Sequence, residues 1–399
     1  MKGSITKRTS TRTGKVSWML KYEAGPRDSV TKERLTRYET IRGGTKRDAE
    51  KRLRELLGQV DQGTHVDPTK VTLAEWCELW LRDIVAHRVT PRTLERYGEL
   101  LRGYVAPRLG TCPIQKLTTP AVQSLYSELL RAGGMGGRPL SARTVHHTHR
   151  ALFEALKAAV RQRVITRNPA DDVDKPKPGE SPAKSFTPEQ MGGLLETLRG
   201  EGRLQSVVRL AVATGMRLGE LLALRWRDMD FEGRVLHVEH SLEVTKGGGL
   251  RFKEPKTKRG RRAIRLADSD CANLRDHWKR QAEDALKLGI RLPSDGLVFP
   301  ASIEYPSVPC PPDRVTKAFA ATLEKLGIKE HGLSFHSLRH FHATWLLRNG
   351  VNLKAVSERL GHANPSITLN VYQHVLPDMQ EHAAQVAGEI FGQAGLVKK

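Results

Sequence analysis

Cysteine is scarce in this chain: four in 399 residues, Cys77, Cys112, Cys271 and Cys310, with no C-x-x-C pair. That excludes a cysteine zinc site and a disulfide framework, and it fits a reducing, intracellular setting. No apolar run approaches the ~20 residues of a spanning helix, and the basic start MKGSITKRTSTRTGK carries no secretory leader. A soluble protein with no membrane partner is expected. No carboxylate cluster of the kind that holds paired magnesium ions is present, and the Gly-rich GGMGGRPLS lacks the G-K-[ST] ending and the preceding strand of a phosphate loop. Neither a metal nor a nucleotide cofactor is signalled. Acidic residues are also in deficit, 44 against 66 Lys+Arg, for a formal charge of +22. Such an imbalance favours a polyanionic partner, nucleic acid first, over a small neutral ligand.

Two turn-rich seams, HVDPTK around residue 67 and ADDVDKPKPGESPAKS from 170 to 185, divide the chain into three segments. The expected domains are 1–65, 70–170 and 184–399. In the first, VSWMLKYEA and LTRYETI alternate as paired strands do, and TKRDAEKRLRELLGQV has helical periodicity with Thr45 as N-cap. Its 16 Lys+Arg against 8 Asp+Glu, a net +8, suit a DNA-binding module. The second segment reads as a helical bundle of LAEWCELWLRDIV, TPRTLERYGELLRGYV, TTPAVQSLYSELLRAG and LSARTVHHTHRALFEALKAAVRQ. The third mixes elements: a Pro-started helix at FTPEQMGGLLETL, then helix, glycine stop, helix and strand through SVVRLAVATGMRLGELLALRWRDMDFEGRVLHVEH. A hairpin is expected over GGGLRFKEPKTKRGRRAIRL with Lys256 near its bend, and helices follow to the C-terminus.

Within that third segment, FHSLRHFHATWLLRNG places His336 and Arg339 three residues apart on a helix. The spacing alone is weak, because 15 His and 41 Arg among 399 residues give about 1.5 H-x-x-R matches by chance. His147/Arg150 and His277/Arg280 share it, and both read as surface helix residues. For His336 and Arg339 the context differs, since Leu338, Phe341 and Trp345 form the expected buried stripe while the two basic side chains share another face. Downstream, a helix ends at Gly361, His362 follows at once, and Asn364-Pro365 opens a further helix bearing Tyr372. Upstream, Arg217 follows Gly215 at a helix start, where its side chain can leave the Leu stripe.

Together these residues resemble the catalytic domain of the tyrosine recombinases, the phage-integrase family. The family's T-G-x-R-x-x-E box is matched by TGMRLGE with Arg217 and Glu220, and its hairpin lysine by Lys256 in PKTKRGRR. Its H-x-x-R is matched by His336 and Arg339, its histidine after L-G by His362, and its tyrosine ten residues on by Tyr372. The middle segment looks like the family's helical core-binding domain, SAM-like, and the first like the arm-type DNA-binding domain of many phage integrases. The fold class implied is multidomain and mainly α with small β-sheets: a sheet-plus-helix arm domain, a helical bundle, and a mixed α/β catalytic domain.

The chemistry accounts for the residue types. A phenol with pKa near 10 is a weak nucleophile, and a phosphodiester repels anions. Guanidinium forks at Arg217 and Arg339 answer both difficulties, favouring Tyr372 as phenolate and stabilising charge on a pentavalent phosphorus. Lys256 is the expected general acid for the leaving 5′ oxygen, His336 assists proton transfer, His362 donates a further hydrogen bond, and Glu220 is a buttress. The product is a 3′-phosphotyrosyl link, formed without metal or ATP. A later 5′-hydroxyl reverses it.

The function this resemblance implies is site-specific integration, with excision, of a phage or other mobile element in the bacterial cytoplasm at the nucleoid. Its partners are double-stranded DNA at core and arm sites, other copies of the chain as a tetramer on DNA, and an excision factor or host DNA-bending protein. A chromosome-dimer resolvase or a topoisomerase IB-like enzyme would use the same chemistry. A non-catalytic DNA-binding protein is the reading from another class. The helix around MQEHAAQVAGEIF, with Val386, Ile390 and Phe391, serves either to dock on a neighbouring copy or to cap its own domain.

Overall fold

The computed structural model describes residues 3–9, 11, 14–27, 34–62, 65–179, 184–254, 260–329, 332–362, 364, 384, 387 and 388. Lys256, Lys258, Tyr372 and, in the C-terminal segment, Val386, Ile390 and Phe391 lie outside the described residues. The chain divides into two compact units, residues 1–179 and 180–399.

The first unit begins with an antiparallel sheet of β1 (Gly3–Thr9), β2 (Val16–Arg27) and β3 (Arg34–Arg42), with β2 central. The strand β1 escapes a sequence reading because its alternation is all polar: only Ile5 turns toward the core and the other six residues are exposed. Helix α1 (Lys46–Asp61) starts where Thr45 and Asp48 cap each other's backbone, and it lays Ala49, Leu53, Leu56 and Val60 on the sheet face carrying Leu20 and Tyr22. This core is small.

A second, separate core belongs to the helices that follow. They are α2 (Leu73–Leu79), α3 (Pro91–Leu100), α4 (Ala106–Leu109), α5 (Thr119–Ala132) and α6 (Ala142–Arg161). Two of them widen into π-helical turns, Trp80–Val85 after α2 and Leu101–Val105 after α3. The buried Trp76 indole donates to the Ala155 carbonyl at 2.8 Å, fastening α2 to α6. The stretch GGMGGRPLS is the expected connection, joining α5 to α6 through Gly136 and Gly137 at positive φ.

In the second unit the helices are α7 (Pro188–Thr197), α8 (Arg203–Thr214), α9 (Leu218–Leu222), α10 (Asp268–Lys287), α11 (Pro312–Lys325), α12 (Phe335–Arg348) and α13 (Leu353–Leu360). The strands are β4 (Met229–Asp230), β5 (Val235–Val238), β6 (Ser241–Thr245), β7 (Gly249–Lys253), β8 (Arg262–Arg265), β9 (Pro300–Ser302) and β10 (Tyr305–Pro309). They form three small antiparallel sheets, β4-β5-β8, β6-β7 and β9-β10, the last of which corrects the expectation that only helices follow the Lys256 region.

This pairing corrects the expected hairpin. The runs flanking Lys256 do not pair with each other: β7 pairs with β6, Leu242 opposite Phe252, and β8 pairs with β5, Leu236 opposite Ile264. The tight turn at Lys246–Gly248 makes β6-β7 the local hairpin, and β8 is left to extend the sheet whose apolar face covers the core. A second correction concerns α12. Leu338 and Phe341 are buried as expected, but Trp345 is 48% exposed and stacks on Phe341 at 5.8 Å between ring centroids. Arg339, assigned to the other face, is buried, and so is Ala343, so α12 is enclosed over more of its circumference than one stripe. A third is His277, which is buried and hydrogen-bonded to the Val298 carbonyl at 2.9 Å.

Candidate functional site

The site forms where two helices end and two begin. Gly215, at φ 65°, closes α8 in the left-handed region, and Gly361, at φ 67°, closes α13 in the same way. A Cβ on Gly215 would come within 2.6 Å of the His342 ring and 2.7 Å of Leu360, so glycine is required there for both conformation and space. Two residues after Gly215, Arg217 is the N-cap of α9. One residue after Gly361 comes His362, whose amide bonds back to the Ser357 carbonyl at 3.0 Å.

Arg339 ties these ends together. Its Nη1 donates to the Gly215 carbonyl and its Nη2 to the Leu360 carbonyl, each at 2.8 Å, and the residue is only 3% exposed. Both acceptors lie at helix C-termini, where unpaired carbonyls carry partial negative charge, so the buried guanidinium is compensated by dipoles. Its orientation is therefore fixed.

Glu220 organises the other arginines. Its carboxylate accepts from Arg217 Nη1 at 2.8 Å, from the Arg217 amide at 3.0 Å and from Arg262 Nη2 at 2.8 Å. Burial pushes this carboxyl up, but the hydrogen bond and charge of Arg262, then the charge and amide of Arg217, outweigh it and hold it below the usual carboxylate range. The reading of Glu220 as a buttress thus has a geometric basis. Arg262, which sequence reasoning missed, is the buried half of the pair and also donates to the Arg359 carbonyl at 2.7 Å. Nothing in the basic run around it marks Arg262 out. Arg359 was missed as well: it bonds the carbonyls of Ala213 and Arg265 and the His342 ring, joining α13 to α8 and β8.

His336 and His362 complete the cluster. Desolvation, then Arg339 and Arg217, holds the His336 imidazole below its ordinary value, although its surface is reached by solvent. Desolvation followed by the charges of Arg339, Arg217, Arg262 and His336 brings His362 down to about 4. Because Arg339 bonds the Gly215 and Leu360 carbonyls, the ends that carry Arg217 and His362 meet at the helix bearing His336 and Arg339. This cluster carries surplus positive charge and neutral imidazoles at pH 7, a combination suited to a phosphodiester. Among the described residues no group of three or more His, Cys, Asp or Glu could hold a metal ion. No described helix is long and apolar enough to cross a membrane.

Burial gives the site a pH signature. His342, 6% exposed, has its Nδ1 at 2.7 Å from the Val212 carbonyl, and burial followed by Arg359 lowers it to about 4. Unfolding restores an ordinary value near 6.5, so the unfolded chain binds the proton first. Stability contributed by this neutral ring is complete above pH 6.5 and drains away as pH falls toward 4. Urea unfolding followed by tryptophan fluorescence should show the second unit losing on the order of 2 kcal/mol from His342 between pH 7.5 and pH 5. A midpoint independent of pH over that range contradicts the assignment.

The cluster has the charge a phosphodiester would call for, and comparison with known proteins gives the family of the chain. The model described as "Phage integrase family" matches residues 184–379, and that described as "Phage integrase, N-terminal SAM-like domain" matches 72–130. A protein named tyrosine recombinase XerC-like from Caldanaerobacter subterraneus subsp. tengcongensis is 30% identical over 367 residues, covering 88% of this chain and 91% of that one. An integrase of Streptomyces ambofaciens is 27% identical over 359 residues, 88% of each chain. Among solved structures, the Tn1549 transposon integrase in complex with transposon right end DNA aligns with a TM-score of 0.64 at 25% identity, over 78% of this chain and 99% of that one. The chain belongs to the phage integrase family of tyrosine recombinases. It is accordingly a site-specific DNA recombinase, an enzyme that breaks and rejoins DNA strands.

Proposed function

We propose that this recombinase integrates a mobile element, most naturally a phage genome, at attachment sites and also excises it, through a 3′-phosphotyrosine intermediate. The observation that supports the reading is that Arg339 joins the Gly215 and Leu360 helix ends next to Arg217 and His362, while Glu220 holds Arg217 and Arg262. Arg217 and Arg339 grip the non-bridging oxygens of the scissile phosphate, His336 and His362 hydrogen-bond it, and Tyr372 attacks. The guanidinium charge stabilises the transition state, so the chemistry needs neither metal nor ATP. Because the bond is stored as a protein–DNA ester, a 5′-hydroxyl of another duplex accepts the strand.

Lys256 protonates the departing 5′ oxygen. In support, its neighbour Lys253 is already engaged with the buried Glu243 carboxylate at 2.7 Å. A general acid matters only when the leaving group needs a proton, whereas a phosphate-holding charge matters for every leaving group. Lys256→Ala should therefore cleave an ordinary substrate about 10²–10⁴-fold slowly and recover most of that loss on a 5′-bridging phosphorothiolate. Equal impairment on both substrates transfers the role to His336 or Lys258.

The residues 1–65 form an arm-type DNA-binding domain, 70–170 the core-binding domain and 184–399 the catalytic domain. Supporting the first is its net +8, with Lys7 and Arg8 exposed on the polar strand β1. Two duplexes exchanged through four strand cleavages call for a tetramer assembled on DNA, with an excision factor or host DNA-bending protein setting direction. Deleting residues 1–65 should leave cleavage of a core duplex within about threefold and lower integration between two attachment sites at least tenfold, read by sequencing junctions. Normal integration by the truncated protein removes the arm assignment and favours the chromosome-dimer resolvase, a reading that the name of the XerC-like relative keeps open.

A further inference from the structure

A cavity of about 400 Å³ in the helical bundle is independent of the recombination site. Its wall is aromatic: the Trp80 and Tyr97 rings lie 5.4 Å apart, and the His149 and Phe153 rings 5.6 Å apart. Its rim is cationic, with Arg88, Arg150, Arg161 and Lys175 against one carboxylate, Glu154. Among the described residues no hydrogen bond or ion pair is found for the guanidinium groups of Arg88, Arg150 and Arg161. Lys175 lies over the Phe153 ring at 5.8 Å.

Two further observations set this cavity apart from an ordinary crevice between helices. The Nδ1 atom of His146, a lining residue, is buried and has no hydrogen-bond partner among the described residues, which a core packed for stability alone avoids. Beside it, His149 is held by the Tyr126 hydroxyl at 3.0 Å from its Nδ1 and is 4% exposed, so the polar wall is rigid. In addition, the wall bearing Trp80 and Ile84 is a π-helical turn, a costly local widening found mostly where function requires it.

We propose that this cavity binds a nucleoside monophosphate unit, its base against Tyr97 and Phe153 beside the His146 ring, its phosphate held by Arg88 and Arg150. A planar π-face satisfies the aromatic wall whichever base it belongs to, and guanidinium groups without partners supply the anion contacts. Inorganic phosphate leaves the aromatic wall unused and a nucleoside leaves the rim unused. The unit comes from one of two sources, a free nucleotide or an extrahelical base of bound DNA.

The test uses the full chain and no cleavage step, so its outcome is separate from that of the recombination chemistry. Calorimetric titration with deoxyadenosine 5′-monophosphate should give saturable binding, at least tenfold tighter than with deoxyadenosine or inorganic phosphate. Arg150→Glu, an exposed change that leaves the fold intact, should weaken it at least tenfold, and Phe153→Leu at least threefold with an unaltered melting curve. A duplex with a single bulged 2-aminopurine, compared with the fully paired duplex, separates the sources. Fluorescence quenching of the bulged base that is lost in Arg150→Glu and Phe153→Leu identifies an extrahelical base, and nucleotide binding without that quenching identifies a free nucleotide. Absence of saturable binding to both probes, or binding unchanged in both variants, overturns the proposal.

Discussion

Replacing Tyr372 by phenylalanine should abolish covalent attachment to a nicked suicide substrate, a loss on the order of 10⁴-fold or more, while affinity for the same DNA stays within about twofold. The substitution removes one oxygen atom, and that atom is the proposed nucleophile. Binding depends instead on the cationic surface and on the arginine cluster, which the change leaves alone. The wild type should form its adduct equally well in excess EDTA, because in the proposed mechanism Arg217 and Arg339 supply the charge that a metal supplies elsewhere. Adduct formation by the Phe variant, or its disappearance on chelation, contradicts the mechanism.

Arg339→Ala should be the most damaging change among the described residues. Two effects combine. Cleavage loses the proposed donor to the phosphate, a loss of about 10²–10³ in rate for one such group. The fold loses the tie between two helix ends, leaving the Gly215 and Leu360 carbonyls without their donor at a cost of about 1–3 kcal/mol each. Lysine should not rescue it, since one ammonium cannot span two divergent carbonyls and still face the phosphate. Single-turnover cleavage and urea unfolding, measured on both variants, check the two effects separately. A stable, active Arg339→Lys protein refutes the bridging role.

The sequence singled out Arg217, His336, Arg339 and His362 because they lie in boxes with fixed spacing, and the structure brings the ends that carry them together. Gly215 before Arg217 and Gly361 before His362 announce helix ends, and the structure places both glycines in the left-handed region. What the boxes do not reveal is how the side chains are held. Arg339 looks like part of a solvated basic face, yet it is buried because two helix C-termini converge on it from residues 124 and 21 positions away. Arg262 and Arg359 were illegible for the same reason, since the partners that fix them, the Glu220 carboxylate, the His342 ring and carbonyls such as that of Ala213, are distant in the sequence. Strand pairing failed around Lys256 because alternation identifies a strand but not its neighbour. The polar strand β1 was missed because one face of its sheet is solvent. Trp345 was misjudged because an aromatic at helical spacing reads as core whether or not a partner covers it.

The most direct test of the account is to trap the protein on a nicked duplex of a functional core site, digest the covalent complex with protease and nuclease, and sequence the nucleotide-bearing peptide by mass spectrometry. The expected product is a peptide spanning Tyr372 with its phenolic oxygen esterified to a 3′-phosphate. A bond at another residue such as the exposed Tyr305, attachment through a 5′-phosphate, or cleavage that yields no protein-bound strand would contradict it.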